Sequence, residues 1–394
     1  MLWLRRALLP CLPCLCLLGC GGAGATSTAL PPRPREVVEM EELRITARHT
    51  DTGEIEFESY DAETLFARGT DLLNRNRCEE AVRHYDRLAD EFATSRYRSP
   101  ALYNAGLCLQ EAGLREDAVA RYERLLREIP GSPDAEHSLF QLAKLDVELE
   151  RWEPALSTAD ALLLREDLSP DERMEAMARR AQALLGARRI PEAAQQARGA
   201  VAYYRARDSL DRPDRVRDEF FAAASTFVLA ETLRQRSEAI AIPSGLVEEQ
   251  RLVLERRAQL LLDAQREYFN AIGFTNPHWA AAAGYRIGAM YDTFWETIMS
   301  APTPPPRDQH PPGSEAEYDR QYRLSLARLV KPLIRHSIRY WELTLMMVER
   351  TGVRTEWTER IRADLERARA RLLEQPEGAE GFPTPPAEAP APTP

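Results

Sequence analysis

Two stretches decide how this chain folds. Glu79-Glu-Ala-Val-Arg-His-Tyr-Asp-Arg-Leu88 returns 37 residues later as Glu116-Asp-Ala-Val-Ala-Arg-Tyr-Glu-Arg-Leu125, identical at six of ten positions. An echo of that period is the mark of like helical units stacked on one another. A weaker copy runs from Glu153 to Leu162, again 37 residues on, and a fainter one from Pro191 to Ala200, 38 residues on. Small residues keep the same register one helix earlier: Gly69, Gly106, Ala143 and Ala181 each stand twelve positions before Ala81, Ala118, Ala155 and Ala193. Small side chains at both places let two antiparallel helices approach closely. Tyr85 and Tyr122, four residues after their alanines, are placed to fill the wedge against the next unit. The expected fold class is all-α, a solenoid of about four helical hairpins over residues 61–206.

This pattern resembles the tetratricopeptide repeat, and Pro130 sits where that family ends its second helix. The repeats depart from the family in being three to four residues longer. They also carry Leu65, Leu102, Leu139 and Met177 at the first signature position, where the family has a large aromatic. The resemblance implies a right-handed superhelix whose first helices line a concave groove. Their fifth positions hold Phe66, Tyr103 and Phe140, each 37 apart, before Ala178 breaks the row. Asn74, Gln110, Lys144 and Gln182 lie near as hydrogen-bonding groups. Such a ladder offers flat contact area to a peptide or partner helix. Rings at helical spacing also serve packing, and both readings stay open at this level.

The chain punctuates its own helices. Ser99-Pro100, Ser132-Pro133, Ser169-Pro170 and Asn276-Pro277 each pair a capping side chain with a proline that needs no donor, and Ser169 with Glu172 predicts a capping box. Past Asp208 the repeat loses identity, and longer amphipathic helices are expected over 214–241, 246–272, 277–300, 315–351 and 355–374. Residues 214–374 thus form a C-terminal helical region, interrupted by a proline-rich loop over 302–313. A second proline-rich stretch, 375–394, reads as a disordered tail, and both read as spacers. Ahead of the repeats, residues 43–60 alternate polar with apolar around His49-Thr-Asp-Thr-Gly53 and predict a small β-hairpin.

The first twenty residues describe an export signal. Arg5-Arg6 precede an apolar run broken by Pro10 and Pro13, which ends in Leu17-Leu18-Gly19-Cys20. The run is too short to span a bilayer. Its end resembles the lipobox of bacterial lipoproteins. By that resemblance residues 1–19 are removed, Cys20 is lipidated, and residues 20–42 tether the fold to the membrane. Gly21 follows where that family's inner-membrane retention signal places Asp, so an outer-membrane anchor with the fold facing the periplasm is expected. Acyl chains add about 0.8 kcal/mol per buried methylene, and two or more anchor stably. Together the repeats and the anchor are similar to periplasmic tetratricopeptide lipoproteins of the BamD and CpoB kind.

Composition closes off other classes. The 394 residues carry 52 basic and 62 acidic groups, a formal charge of −10, which is no footprint for nucleic acid. Lys144 and Lys331 are the only lysines. With 19 glycines and helical periodicity, there is no phosphate loop, dinucleotide fingerprint or nucleophile elbow. His49, His84, His137, His278, His310 and His336 lie one per element with no metal-ligand spacing. Cys11-Leu-Pro-Cys14 matches a redox motif only inside the discarded signal, while Cys78 and Cys108 could pair in an oxidising periplasm. Catalytic residues, metals, cofactors and small-molecule substrates are therefore not expected. The expected partners are envelope proteins or peptides, plus the membrane through the lipid. A cell-wall enzyme and a self-associating envelope spacer are the alternative readings.

Overall fold

The computed structural model describes residues 42–49, 54–208, 214–305, 314–352 and 355–374. The expected signal, Cys20, and nearly all of the tether lie outside the described residues, as do the proline-rich tail and most of the 302–313 loop. The element order is β1 (Arg44–His49), β2 (Ile55–Tyr60), α1 (Ala62–Asn74), α2 (Cys78–Glu91), α3 (Arg98–Glu111), α4 (Arg115–Glu128), α5 (Pro133–Glu148), α6 (Trp152–Leu163), α7 (Pro170–Gly186) and α8 (Ile190–Arg207). Five longer helices follow: α9 (Phe220–Glu238), α10 (Val247–Gly273), α11 (Pro277–Met299), α12 (Glu315–Thr351) and α13 (Glu356–Glu374).

The first eight helices form four hairpins whose turns are copies of one another. In each, one residue takes the left-handed conformation: Asn76 (φ 59), Gly113 (φ 79), Glu150 (φ 57) and Arg188 (φ 61), spaced by the same 37 or 38 residues as the sequence echo. The next residue sends its N–H back five positions, Arg77 to Leu72, Leu114 to Leu109, Arg151 to Asp146 and Arg189 to Leu184, at 2.8–2.9 Å. This is the Schellman closure, which satisfies carbonyls left over at a helix end. Three residues suffice at every one of these turns.

Packing within a hairpin rests on glycine under tyrosine. A Cβ added at Gly69 would stand 2.6 Å from the Tyr85 ring, and one at Gly106 2.5 Å from the Tyr122 ring. Both tyrosines are 0% exposed. The rings therefore lie on the backbone of their own hairpin, and Tyr85 also bonds to Asn104 of the next unit. First helices pack in direct succession, α1 on α3, α3 on α5, α5 on α7 and α7 on α9. Second helices are joined by side chains instead, as where Arg121 grips both oxygens of Asp86 at 2.8 Å. The row of first helices is thus the inner, concave side.

Ser132, Ser169 and Asn276 cap their helices through side-chain oxygens, and the Ser169–Glu172 capping box is present. Ser99 does not cap. Helix α3 already begins at Arg98, and the Ser99 hydroxyl reaches forward to Ser132 Oγ and Asp134 Oδ2 at 2.7 and 2.8 Å, steadying the next cap. Helix α9 starts later than its periodicity suggests, because Asp171 Oδ1 holds the N–H groups of Arg217 and Asp218 in an extended approach.

The hairpin pairs antiparallel, Arg44 opposite Tyr60 and His49 opposite Ile55. It docks on the end of α2. Tyr60, buried, meets the Phe92 ring edge-on at 6.1 Å and donates to Glu91 at 2.6 Å, while Arg44 donates to the Glu91 carbonyl at 2.6 Å. Its other face leaves Ile45, Ile55 and Phe57 exposed. At the far end α9 packs on both α7 and α8, and α11 and α12 share the most extensive helix contact among the described residues. There the glycine device recurs, with Trp341 lying over Gly288. Among the described residues no helix is long and apolar enough to cross a membrane.

Candidate protein-binding groove

The expected aromatic ladder lies on the inner helices, each ring half-buried. Phe66 stacks on Tyr97 at 5.2 Å and leans on Tyr85 at 5.8 Å. Tyr103 leans on Tyr122 at 5.8 Å and on His137 at 6.2 Å. Phe140 packs beside Leu139 against buried Ala143, Leu162 and Ala176. Each ring thus packs within the solenoid and remains partly exposed. Burial pushes the Tyr103 hydroxyl above its usual range.

The polar residues expected near the ladder divide. Asn74 is exposed at the end of α1. Gln110 accepts from the Tyr122 hydroxyl at 3.5 Å, and Gln182 accepts from Arg179 at 3.4 Å, so both are engaged in holding the frame. Lys144 is half-exposed and bears electrostatically on Glu175.

Where Ala178 interrupts the aromatics it is wholly buried, and the neighbouring turn supplies charge instead. Arg179 pairs with Glu175 at 3.4 Å, with its guanidinium 5.2 Å from the Phe221 ring centre. Burial lowers the Arg179 pKa and raises that of Glu175, each in part compensated by the other. The groove is thus aromatic over α1, α3 and α5 and charged over α7. Arg179 and Glu175 escaped the sequence reading, although their i,i+4 spacing beside the break in the ladder was a signal.

Cys78 and Cys108, which spacing allowed either to pair or to serve as small buried side chains, stand as buried free thiols. The Cys78 Sγ–H faces the Glu111 carboxylate at 3.8 Å, and burial beside Cys78 pushes the Cys108 thiol up to about 12, so it stays protonated and inert. The described residues gather no group of three or more His, Cys, Asp or Glu suited to a metal.

A second polar constellation sits among the C-terminal helices. Glu231, 3% exposed, receives Arg234 at 2.7 Å, Arg286 at 3.1 Å and the Tyr268 hydroxyl. Burial alone would raise its pKa, but the two arginines outweigh it and hold the carboxylate ionised. Next to it a cleft of about 240 Å³ is lined by Arg286, Asp292, Asp364 and Arg367. Its charges are spent on one another, Arg371 on Asp292 and Arg367 on Asp364. The only hint in sequence was Glu231, a lone Glu directly after the mostly apolar run Phe220–Ala230.

The family model for the tetratricopeptide repeat matches residues 100–132, which is α3, α4 and the turn after them. No curated relative matches. Among solved structures, a tetratricopeptide repeat protein from Parabacteroides merdae is 14% identical, covering 78% of this chain and 98% of that one, with a TM-score of 0.38. MamA from Desulfovibrio magneticus is also 14% identical, covering 52% of this chain and 95% of that one, with a TM-score of 0.35. The fold rests on the hairpins themselves: four Schellman-closed units in one register, one of them matching the family model, make this chain a helical solenoid of tetratricopeptide type.

Proposed function

We propose that this protein is a non-catalytic scaffold of the bacterial envelope, held to the outer membrane through lipid on Cys20, that grips protein partners in its inner groove. The observation that carries this reading is the ladder Phe66, Tyr103 and Phe140, which keeps one open side at each step while lying on a rigid frame. Aromatics fixed in this way give up little entropy on binding and tend to dominate interface energy. The charged step at Arg179 and Glu175 would set the register of a peptide lying along the row.

The test has two arms. Crosslinking in the native envelope followed by mass spectrometry identifies the partner. Tyr103→Ala and Phe140→Ala should then weaken its capture at least about tenfold, the size of a modest hot spot. A large fall in melting temperature with capture retained would assign the rings to packing alone. For the anchor, palmitate labelling should vanish in Cys20→Ala, and undiminished labelling ends that part of the reading. A clearing band in peptidoglycan zymography would favour the enzymatic alternative.

A further inference from the structure

Helix α12 carries an apolar groove that the scaffold reading does not use. Tyr291 of α11 and Leu329, Pro332, Leu333 and His336 of α12 line about 570 Å³ of open space. Tyr291 lies flat against Tyr340 (5.7 Å, 7° between planes) and 5.3 Å from His336. Gln265 of α10 fixes both phenols, accepting from Tyr291 at 3.1 Å and donating to Tyr340 at 2.9 Å. The result is a preformed row of stacked rings flanked by Leu329, which is 64% exposed. Aromatic-lined grooves of this sort take polyproline II segments, whose ridges fit between rings and whose stiffness is already present.

Charge and chain path select the occupant. Arg328, Arg335 and Arg339 are exposed, and at helical spacing they fall on one flank of α12. None of the three forms an ion pair with a described residue. Helix α13 lies on the opposite flank, where Leu372 packs against the buried cluster of Ile334, Trp341 and Leu365 and Arg371 pairs with Asp292 and Glu296. A chain leaving Glu374 for the groove therefore crosses the arginine flank first. Residues 375–394 have the composition for that route: Glu377 and Glu380 come first, then Phe382-Pro383-Thr-Pro-Pro386, and the segment contains no basic residue. The eight residues from 375 to 382 reach roughly 25 Å as polyproline II, ample to pass a helix about 10 Å across.

We propose that the groove between α11 and α12 is the docking site of this chain's own proline-rich C-terminal segment, with Phe382–Pro386 on the rings and Glu377 and Glu380 over the arginine flank.

The experiment places photoreactive p-benzoylphenylalanine at position 382 of the full chain and maps the crosslinks by mass spectrometry. They should form within one molecule, on Tyr291 and residues 329–340. Leu329→Glu, at a position exposed enough to leave the melting temperature unchanged, should cut the yield at least about fivefold. Arg335→Glu with Arg339→Glu should cut it about threefold, as should raising salt to about 0.5 M. Crosslinks scattered over the surface overturn the proposal. So does a yield untouched by Leu329→Glu. Crosslinks between molecules, or the groove's capture of an acidic proline-rich segment from another protein in preference to its own, would overturn the intramolecular assignment.

Discussion

Gly106→Ala sets two rules against each other. Helix propensity alone favours alanine by up to about 1 kcal/mol in the interior of a helix such as α3. The packing says the opposite. The new methyl would stand 2.5 Å from the Tyr122 ring, where ordinary contact begins near 3.4 Å. Either the ring or the α3 backbone must give by about 1 Å, and the ring has no outlet, since it is 0% exposed and backed by Tyr103. Overpacking of that kind costs about 1–3 kcal/mol, and the sealed ring puts this site at the upper end, leaving a net loss of up to about 2 kcal/mol after propensity is set against it. The assay is urea unfolding followed by helical circular dichroism, run as a double-mutant cycle with Tyr122→Leu. In the Tyr122→Leu background, alanine at 106 should be neutral or stabilising, giving a coupling of about 2 kcal/mol. A single Gly106→Ala variant that raises the midpoint, or a cycle that is additive, would refute the claim that ring on backbone joins α3 to α4.

Two further expectations follow from buried charge. Glu231→Ala should cost about 3–5 kcal/mol, because Arg234 and Arg286 lose the carboxylate that neutralises them, and denaturant titration would reveal it as a large fall in midpoint. Burial raises the Asp146 pKa to about 6, against a usual value of 3.8, although Arg151 lies 3.3 Å away. The folded state then holds the extra proton between those values, so this group's contribution to stability falls as pH rises from about 4 to about 6. Asp146→Asn should remove that slope and be more stable than the parent at pH 7 by about 2–3 kcal/mol, which urea midpoints at both ends of the window would measure.

The repeat frame was legible because it is written in small and large residues. Gly69 and Gly106 face Tyr85 and Tyr122, each sixteen positions further on, and the period alone assigns them to facing helices. The faintest copy, Pro191–Ala200, kept little identity, yet its turn at Arg188 is the same as the other three, because turn geometry tolerates any residue that will enter the left-handed region. Local capping was legible at Ser132 and Ser169, whose hydroxyls accept from N–H groups of their own helices. It failed at Ser99, whose hydroxyl answers to the next unit, a partner that spacing cannot reveal. Of the groove, the aromatic row could be read from positions 66, 103 and 140, but the charged step at Arg179 could not be weighed without knowing which side of α7 faces inward. The Glu231 cluster joins α9, α10 and α11, and no periodicity relates those residues.

The four three-residue turns carry a consequence for how this molecule can change length. Among the connections, the variation in length falls on the other links, those from a second helix to the next first helix, which run over residues 92–97, 129–132, 164–169 and 208–219. The turns act as fixed hinge pins and the links as adjustable slack. A duplicated or grafted unit spliced at a link would keep every pin intact, whereas one extra residue at Asn76, Gly113, Glu150 or Arg188 would break a closure and rotate everything downstream. Growth and engineering of this solenoid are thereby confined to one of its two rims.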